Sequence, residues 1–228
     1  MSFKIIHQDK KSAARVGKLT TAHGEVDTPC FMPVATQASV KTLSHQELLD
    51  MDIQIILANA YHLFLRPGID IIKKAGGLHQ FMNWQRPILT DSGGYQIFSM
   101  SMPASKAGFN KERTSLIRVT DKGVHFQSHL DGTKHFLSPE DIIDIQIGLG
   151  SDIIMPLDEC VQYPCTKDYA AIAMKRTVDW AIRSKKHVSK NDKRYAISNR
   201  PLLFGIVQGA TYEDLRKECC ERLLEIGF

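Results

Sequence analysis

Short apolar runs alternate with amphipathic stretches along most of this chain, a pattern that predicts strands followed by helices. "CFMPVAT" at 30–36 reads as a strand. "SHQELLDMD" at 44–52 reads as a helix, with Ser44 as N-cap and Glu47 spaced to close a capping box. "IQIILANA" at 53–60 is a second strand, "GIDIIKKAGGLHQFM" at 68–82 a helix closed by glycine, and "RPILT" at 86–90 a third strand. The pattern then changes. "SLIRVTDKGVHFQSHLDGTKHFLSP" carries two turn signals, Asp121-Lys122-Gly123 and Asp131-Gly132, between alternating runs, which predicts a small antiparallel insertion. "SPEDIIDIQIGLG" is a helix with an acidic first turn, as the helix dipole favours. "SDIIMPLD" at 151–158 is a strand, "YAAIAMKRTVDWAIRSKKHV" a long helix, "LLFGIVQ" at 202–208 a strand and "TYEDLRKECCERLLEIG" a final helix.

Strand–helix alternation implies an α/β fold with a parallel sheet. Short strands rich in Ile, Leu and Val imply burial on both faces. A (β/α)8 barrel and a doubly wound sheet both fit. No G-x-G-x-x-G follows the first strand, which weakens the nucleotide-binding version. About five strand–helix units are legible, where a complete barrel uses eight in roughly 250 residues. No repeat, low-complexity tract or long Gly/Ser linker divides the chain, so residues 1–228 read as a single domain.

Composition adds limits. With 43% hydrophobic and 24% charged residues the chain has ordinary globular content. No apolar run approaches the roughly 18 residues of a membrane span, and "MSFKIIHQDKKSAARVGK" lacks the apolar stretch of a signal peptide. A cytoplasmic location is the expectation. Cys30, Cys160, Cys165, Cys219 and Cys220 are odd in number and include no C-x-x-C pair, so free thiols in a reducing compartment are expected. A net charge of +4 permits a nucleic-acid partner without requiring one.

The candidate chemistry lies where the strands end. The second ends near Asn59, the third at Asp91, the fourth at Asp158-Glu159-Cys160 and the fifth at Gln208-Gly209. C-terminal strand ends converge on one mouth of a barrel, where catalytic residues sit. Two carboxylates, two amides and Tyr95 as a flat face suit a planar heterocycle with several donors and acceptors. In "TDSGGYQIF" the pair Gly93-Gly94 removes side-chain bulk beside Asp91, so that backbone N–H groups and a ligand can approach. Each signal has a plainer reading. An Asp after a strand is often a helix N-cap, Gly-Gly is often only a turn, and Gln208 could satisfy buried backbone. His62, His79, His125, His129 and His135 have no metal spacing. Cys160 follows two acids, which raise a thiol pKa and argue against a nucleophile. Cys219 and Cys220 read as core or bystander residues on a helix. The basic run "RSKKHVSKNDKRYAISNR" at 183–200 is either a solvated helix end and loop or a phosphate-contacting patch.

"TPCFMPVATQASVKTL", "LANAYHLFLRPG", "LTDSGGYQIFS", "SHLDGTKHFLSPE", "LGSDIIMPLDEC" and "LFGIVQGATYEDLR" resemble, in order and nearly from end to end, the bacterial tRNA-guanine transglycosylase (queuine tRNA-ribosyltransferase) family. The resemblance implies a (β/α)8 TIM barrel, here incomplete, with the antiparallel insertion. It implies double displacement. A carboxylate attacks the ribose anomeric carbon of the wobble guanosine in a G-U-N anticodon (tRNAs for Asp, Asn, His and Tyr), guanine leaves, and a 7-deazaguanine displaces the enzyme. Carried over by motif, Asp91 would be the general acid/base. Tyr95 would stack on the base, Asp158 would accept from its N–H edge, and Gln208 would donate to its carbonyl. Ser92, Gly93 and Gly94 would line the pocket, with Cys160 and Gly209 beside it. "DEC" with Cys160 looks like the bacterial type and implies 7-aminomethyl-7-deazaguanine as substrate. The family also implies a homodimer and a structural zinc. Its nucleophilic aspartate and its C-x-C-x-x-C…H zinc ligands lie in a part of the family's chain beyond "EIGF", so neither nucleophile nor metal ligands are expected here. The alternative is an inactive or non-catalytic relative that acts as a binding subunit.

Overall fold

In the computed structural model, residues 3–100, 117–191 and 200–228 are described. The chain opens with β1 (Phe3–Gln8), β2 (Arg15–Thr21) and β3 (Gly24–Thr28), followed by β4 (Val34–Ala35), α1 (His45–Asp50) and β5 (Ile56–Ala58). Next come α2 (Ala60–Leu65), α3 (Ile69–Lys74), α4 (Leu78–Met82) and β6 (Ile88–Thr90). The middle holds α5 (Gly94–Met100), β7 (Ile117–Thr120), β8 (Gly123–Gln127), β9 (Lys134–Leu137) and α6 (Pro139–Leu149). The last elements are β10 (Ile153–Ile154), α7 (Lys167–Asn191), β11 (Leu202–Leu203) and α8 (Glu213–Ile226).

Two compact units result. The first comprises the described residues of Met1–Asp91, Ile145–Ile154 and Asn191–Leu202. The second comprises those of Ser92–Asp144, Met155–Lys190 and Leu203–Phe228. The parallel sheet has the order β11-β10-β6-β5-β4, with β4–β5, β5–β6 and β6–β10 all parallel. Strands adjacent in this sheet are also consecutive in the chain, apart from the inserted hairpins. Ile56, Ala58, Ile88, Ile153 and Ile154 are buried, as expected of a sheet covered on both faces.

The predicted elements appear with shorter strands. The capping box of α1 forms as its sequence predicts: Ser44 Oγ accepts from the Glu47 N–H at 3.3 Å, and Glu47 Oε2 accepts from the Ser44 N–H at 2.7 Å. Ser44→Ala is expected to cost about 1 kcal/mol, read as a drop in the chain's urea midpoint with an unchanged m-value. The single helix predicted over 68–82 is instead α3 and α4, because Gly76 and Gly77 take φ of 92° and 94°, outside the helical region. The "SDIIMPLD" strand reduces to β10, with Pro156 following at a position where no N–H can join a ladder. β11 likewise stops at Leu203, five residues before Gln208. The hairpin insertion is the three-stranded antiparallel sheet β7-β8-β9. The N-terminal sheet β1-β2-β3, together with α2 and α5, was not anticipated.

An apolar seam joins α7 to α8 in the second unit. Ala170, Met174, Val178 and Ala181 of α7 recur at helical spacing and pack with Leu215, Cys219 and Leu223 of α8. Cys219 is thus a core residue, while Cys220 on the same helix is exposed. All five cysteines are free thiols.

Candidate functional site

The predicted residues fall in two groups, one in each unit. In the first unit Asp91 follows β6 directly. Its Oδ1 accepts the N–H of Ala60 at 3.0 Å, and its Oδ2 accepts from Asn59 Nδ2. Asn59 and Ala60 follow β5, and Ala60 opens α2. Asp91 therefore serves the first turn of the helix after the neighbouring strand. Its carboxylate is fixed on both oxygens by groups at the same end of the sheet.

In the second unit Asp158 is the centre, and its side chain is buried. Ser92 Oγ donates to Oδ1 at 3.0 Å, and Gln208 Nε2 donates to Oδ2 at 2.7 Å. Ser92 Oγ also accepts the Gly94 N–H at 3.2 Å. Gln208 is held in turn through its main chain, whose N–H reaches Cys219 Sγ at 3.3 Å. The purpose of Gly-Gly is now visible. Gly93 adopts φ 75°, in the left-handed region. A Cβ on Gly94 would stand 2.7 Å from Asp158 Oδ1 and 2.8 Å from the Asp158 carbonyl oxygen. Gly94→Ala must therefore push Asp158 off its bonds with Ser92 and Gln208. Overpacking of this kind costs about 1–3 kcal/mol, expected as a fall in melting temperature together with weaker binding of any ligand read by Asp158.

Tyr95 is 63% exposed at the start of α5 and offers its ring to solvent. Cys160 is half-buried. Burial first, then the charge of Asp158, pushes its thiol pKa up, so it stays protonated at neutral pH, as expected of a non-nucleophile. Gly209 has φ 127°, and a Cβ there would meet the Arg216 N at 2.8 Å, so this glycine lets the chain pass close to α8. Asp158 and Gln208 thus come together with Ser92 and Gly94. Bonding on both oxygens fixes the carboxylate plane, and carboxylate oxygens accept several donors. Such a plane can receive a flat N–H edge.

Three features were not read from the sequence. Glu159 is buried and paired with Arg176 and Tyr169. Thr90 Oγ1 donates to Gln146 Oε1 and lies 2.9 Å from Ser151 Oγ, tying β6 into the first unit. His23, His79 and Asp152 form the one group among the described residues whose atoms are close enough to hold a metal. Their geometry favours a hydrogen-bonded clasp. The two imidazoles stack at 3.5 Å and 16°, and each turns a nitrogen to the Asp152 carboxylate, at 2.8 Å for His23 and 3.1 Å for His79. Arg200 lines the same cavity and adds positive charge there. Positions 23, 79 and 152 are too far apart in the chain for spacing to betray them. The cysteine-rich zinc site that the resemblance implies does not fit these residues. The five thiols lack its spacing, and the His/Asp group contains no cysteine.

Part of the basic run at 183–200 has internal partners. Arg183 Nε and Nη2 donate to Glu140 at 2.9 and 2.6 Å, Lys185 donates to the carbonyls of Ile226 and Gly227, and His187 bonds Asp144. Residues 192–199 lie outside the described residues. No described helix is long and apolar enough to cross a membrane.

A family model described as queuine tRNA-ribosyltransferase matches residues 9–228. The queuine tRNA-ribosyltransferase of Caldanaerobacter subterraneus subsp. tengcongensis is 52% identical over 228 residues, covering all of this chain and 56% of its own length. That of Halothermothrix orenii is 51% identical over the same 228 residues, again 56% of its length. That of Aquifex aeolicus is 52% identical over 223 residues, 98% of this chain and 55% of its own. The chain spans about half the length of the curated relatives it matches.

Proposed function

Because the chain belongs to the queuine tRNA-ribosyltransferase family, we propose that it carries the base-recognition part of a tRNA-guanine transglycosylase. The reaction is a base exchange at the wobble position of G-U-N tRNAs. A carboxylate outside these residues attacks the ribose anomeric carbon, and the bond from that carbon to guanine breaks. 7-Aminomethyl-7-deazaguanine then attacks the same carbon and releases the enzyme. The sequential order of the parallel strands supports a (β/α)8 barrel, with the described strands as one arc of it.

The observation that carries this reading is the braced carboxylate of Asp158, fixed by Ser92 on one oxygen and Gln208 on the other. A guanine-type base presents adjacent N–H donors and a carbonyl, and Asp158 and Gln208 match them in kind. A base lacking one partner leaves a buried group unpaired, at roughly 1–3 kcal/mol. Asp91, fixed by Asn59 and Ala60, takes the proton from the arriving base and returns one to the departing guanine. Tyr95, exposed four residues further on, provides a stacking face. The partners are then tRNA and a deazaguanine, with a homodimer in the cytoplasm as the working form and the family's structural zinc bound outside this chain.

The test is incorporation of labelled guanine into a G-U-N tRNA. The 228-residue chain alone is expected to bind guanine and to exchange none. Exchange is expected once the remaining length of a relative is supplied. Exchange by the chain alone would move the nucleophile into these residues and overturn the mechanism. A chain that neither binds guanine nor supports exchange after complementation would overturn the functional reading.

A further inference from the structure

Glu159 follows Asp158 directly, yet the two carboxylates are handled in different ways. Asp158 is bonded by neutral donors, Ser92 and Gln208. Glu159 has a side chain only 1% exposed and is met by a cation. Arg176 Nη1 donates to Glu159 Oε2, and Tyr169 OH donates to Glu159 Oε1 at 2.8 Å. The Glu159 main-chain N–H reaches Thr177 Oγ1 at 3.0 Å. Residues 169, 176 and 177 stand seven and eight positions apart on α7, so they share one helix face. That face grips residue 159 by side chain and backbone together.

Arg176 is itself anchored. Its Nε donates to Asp121 Oδ1 at 3.0 Å, in the turn between β7 and β8. Trp180 Nε1 and Arg183 Nη1 each donate to the Asp121 carbonyl at 2.9 Å, which straps that turn to α7. The Tyr169 phenol pKa is pushed up to about 12, by burial first and then by Glu159, so it remains a donor across the physiological range. Titratable groups around the 158–159 pair in this unit include Arg176, Tyr169, Asp121, Cys160 and Cys165.

We propose that Arg176 and Thr177 are positioning residues for Asp158: α7 neutralises Glu159 internally and fixes its backbone, so that of these two adjacent carboxylates only Asp158 presents its charge to the base. The role assigned to the base rests on the function proposed above. The control that Arg176 exerts over Asp158 does not.

The experiment separates the two. Carbon-detected NMR titration of the Asp158 carboxyl is made in this chain, with Arg176→Met, Glu159→Gln and the double variant. Arg176→Met leaves a second buried negative charge beside Asp158, and like charges raise a carboxyl pKa. The midpoint is expected to rise by about half a unit or more, the scale of a like charge on a neighbouring residue at an effective dielectric near 20. Glu159→Gln, which leaves Arg176 positive, is expected to shift it down, and the double variant to return it near the starting value. Arg176→Lys, which retains the charge, is expected to hold the midpoint. In the exchange-competent protein, the KM for guanine is expected to rise about tenfold in Arg176→Met and to recover in the double variant. A melting temperature that falls while the Asp158 midpoint stays fixed in all variants would reduce Arg176 to a structural ion pair and overturn the proposal. If Arg176→Met does not fold, the downward shift in Glu159→Gln against an unmoved midpoint in Arg176→Lys decides the same question. Loss of guanine exchange in the unsubstituted protein would count against the functional reading, while the NMR shifts stand by themselves.

Discussion

Asp152→Asn is expected to destabilise the chain by about 3 kcal/mol, the largest stability loss we anticipate from a substitution that changes only one atom's chemistry. Asp152 has a fully buried side chain. Its Oδ2 accepts the Ile88 N–H at 2.9 Å and lies 3.1 Å from His79 Nε2. Its Oδ1 accepts the His23 N–H at 3.1 Å and lies 2.8 Å from His23 Nδ1. The carboxylate thus ties the turn between β2 and β3 to the start of β6 and to α4. An amide offers one acceptor where there were two. Its NH2 would face a backbone N–H or an imidazole nitrogen, and a buried donor would lose its partner. At this chain length each kcal/mol moves the melting temperature by about 2–4 °C, so a drop of roughly 10 °C is the expected result.

The same variant has a pH signature. Burial works to raise the Asp152 pKa, but the close His79 imidazole, the hydrogen bonds from the Ile88 N–H and His23, and the charge of His23 hold it below the ordinary 3.8. A carboxyl depressed in the folded state contributes stability that is present above its unfolded pKa and lost as pH falls through the folded one. The gap in melting temperature between the unsubstituted chain and Asp152→Asn should therefore be full at pH 6 and close as the pH drops below about 4. A gap that is constant over that range would mean the ionised carboxylate is not what the clasp uses.

The strand–helix rhythm was readable because its causes are local. Buried strands are short runs of Ile and Leu, and α1 announces itself through Ser44 and Glu47. What failed to show in the sequence depends on partners distant along the chain. The β1-β2-β3 sheet has exposed faces, with Ile5, Ile6 and Val16 open to solvent, so no clean alternation of burial marks it. The split between α3 and α4 follows from positive φ at Gly76 and Gly77, and a glycine pair inside a helical pattern does not reveal which torsions it will take. Asp91, Asp158 and Gln208 were visible as polar endings to apolar runs. Their bonds to Asn59, Ala60 and Ser92 were not, because pairs such as Ser92–Asp158 join residues 66 apart. Glu159 was named only as a neighbour of Asp158. Its role becomes legible once α7 is folded and Arg176, 17 residues on, turns toward it.

On the proposed function, Asp158→Asn is expected to have the largest effect, raising the KM for guanine about 10²–10³-fold in the exchange-competent protein. The estimate follows from the donors involved. Hydrogen bonds to a charged group contribute about 1.5–3 kcal/mol each, and a guanine edge brings two adjacent N–H donors to one carboxylate. The amide replaces one acceptor oxygen by a donor, so one bond to the base becomes a donor–donor contact. It also disturbs the brace, since Gln208 Nε2 donates to Oδ2 and Ser92 Oγ, already accepting from Gly94, donates to Oδ1. With its NH2 toward Gln208 Nε2 the amide sets donor against donor, and turned the other way it forces the Ser92 hydroxyl to reverse and accept. Selectivity supplies the sharper check. Hypoxanthine lacks the exocyclic amine of guanine and so has less to lose from the substitution. The preference of guanine over hypoxanthine, measured as a ratio of kcat/KM, is expected to collapse by tenfold or more on the scale of one charged hydrogen bond. Equal losses for both bases would mean that Asp158 supports the pocket without reading the base edge.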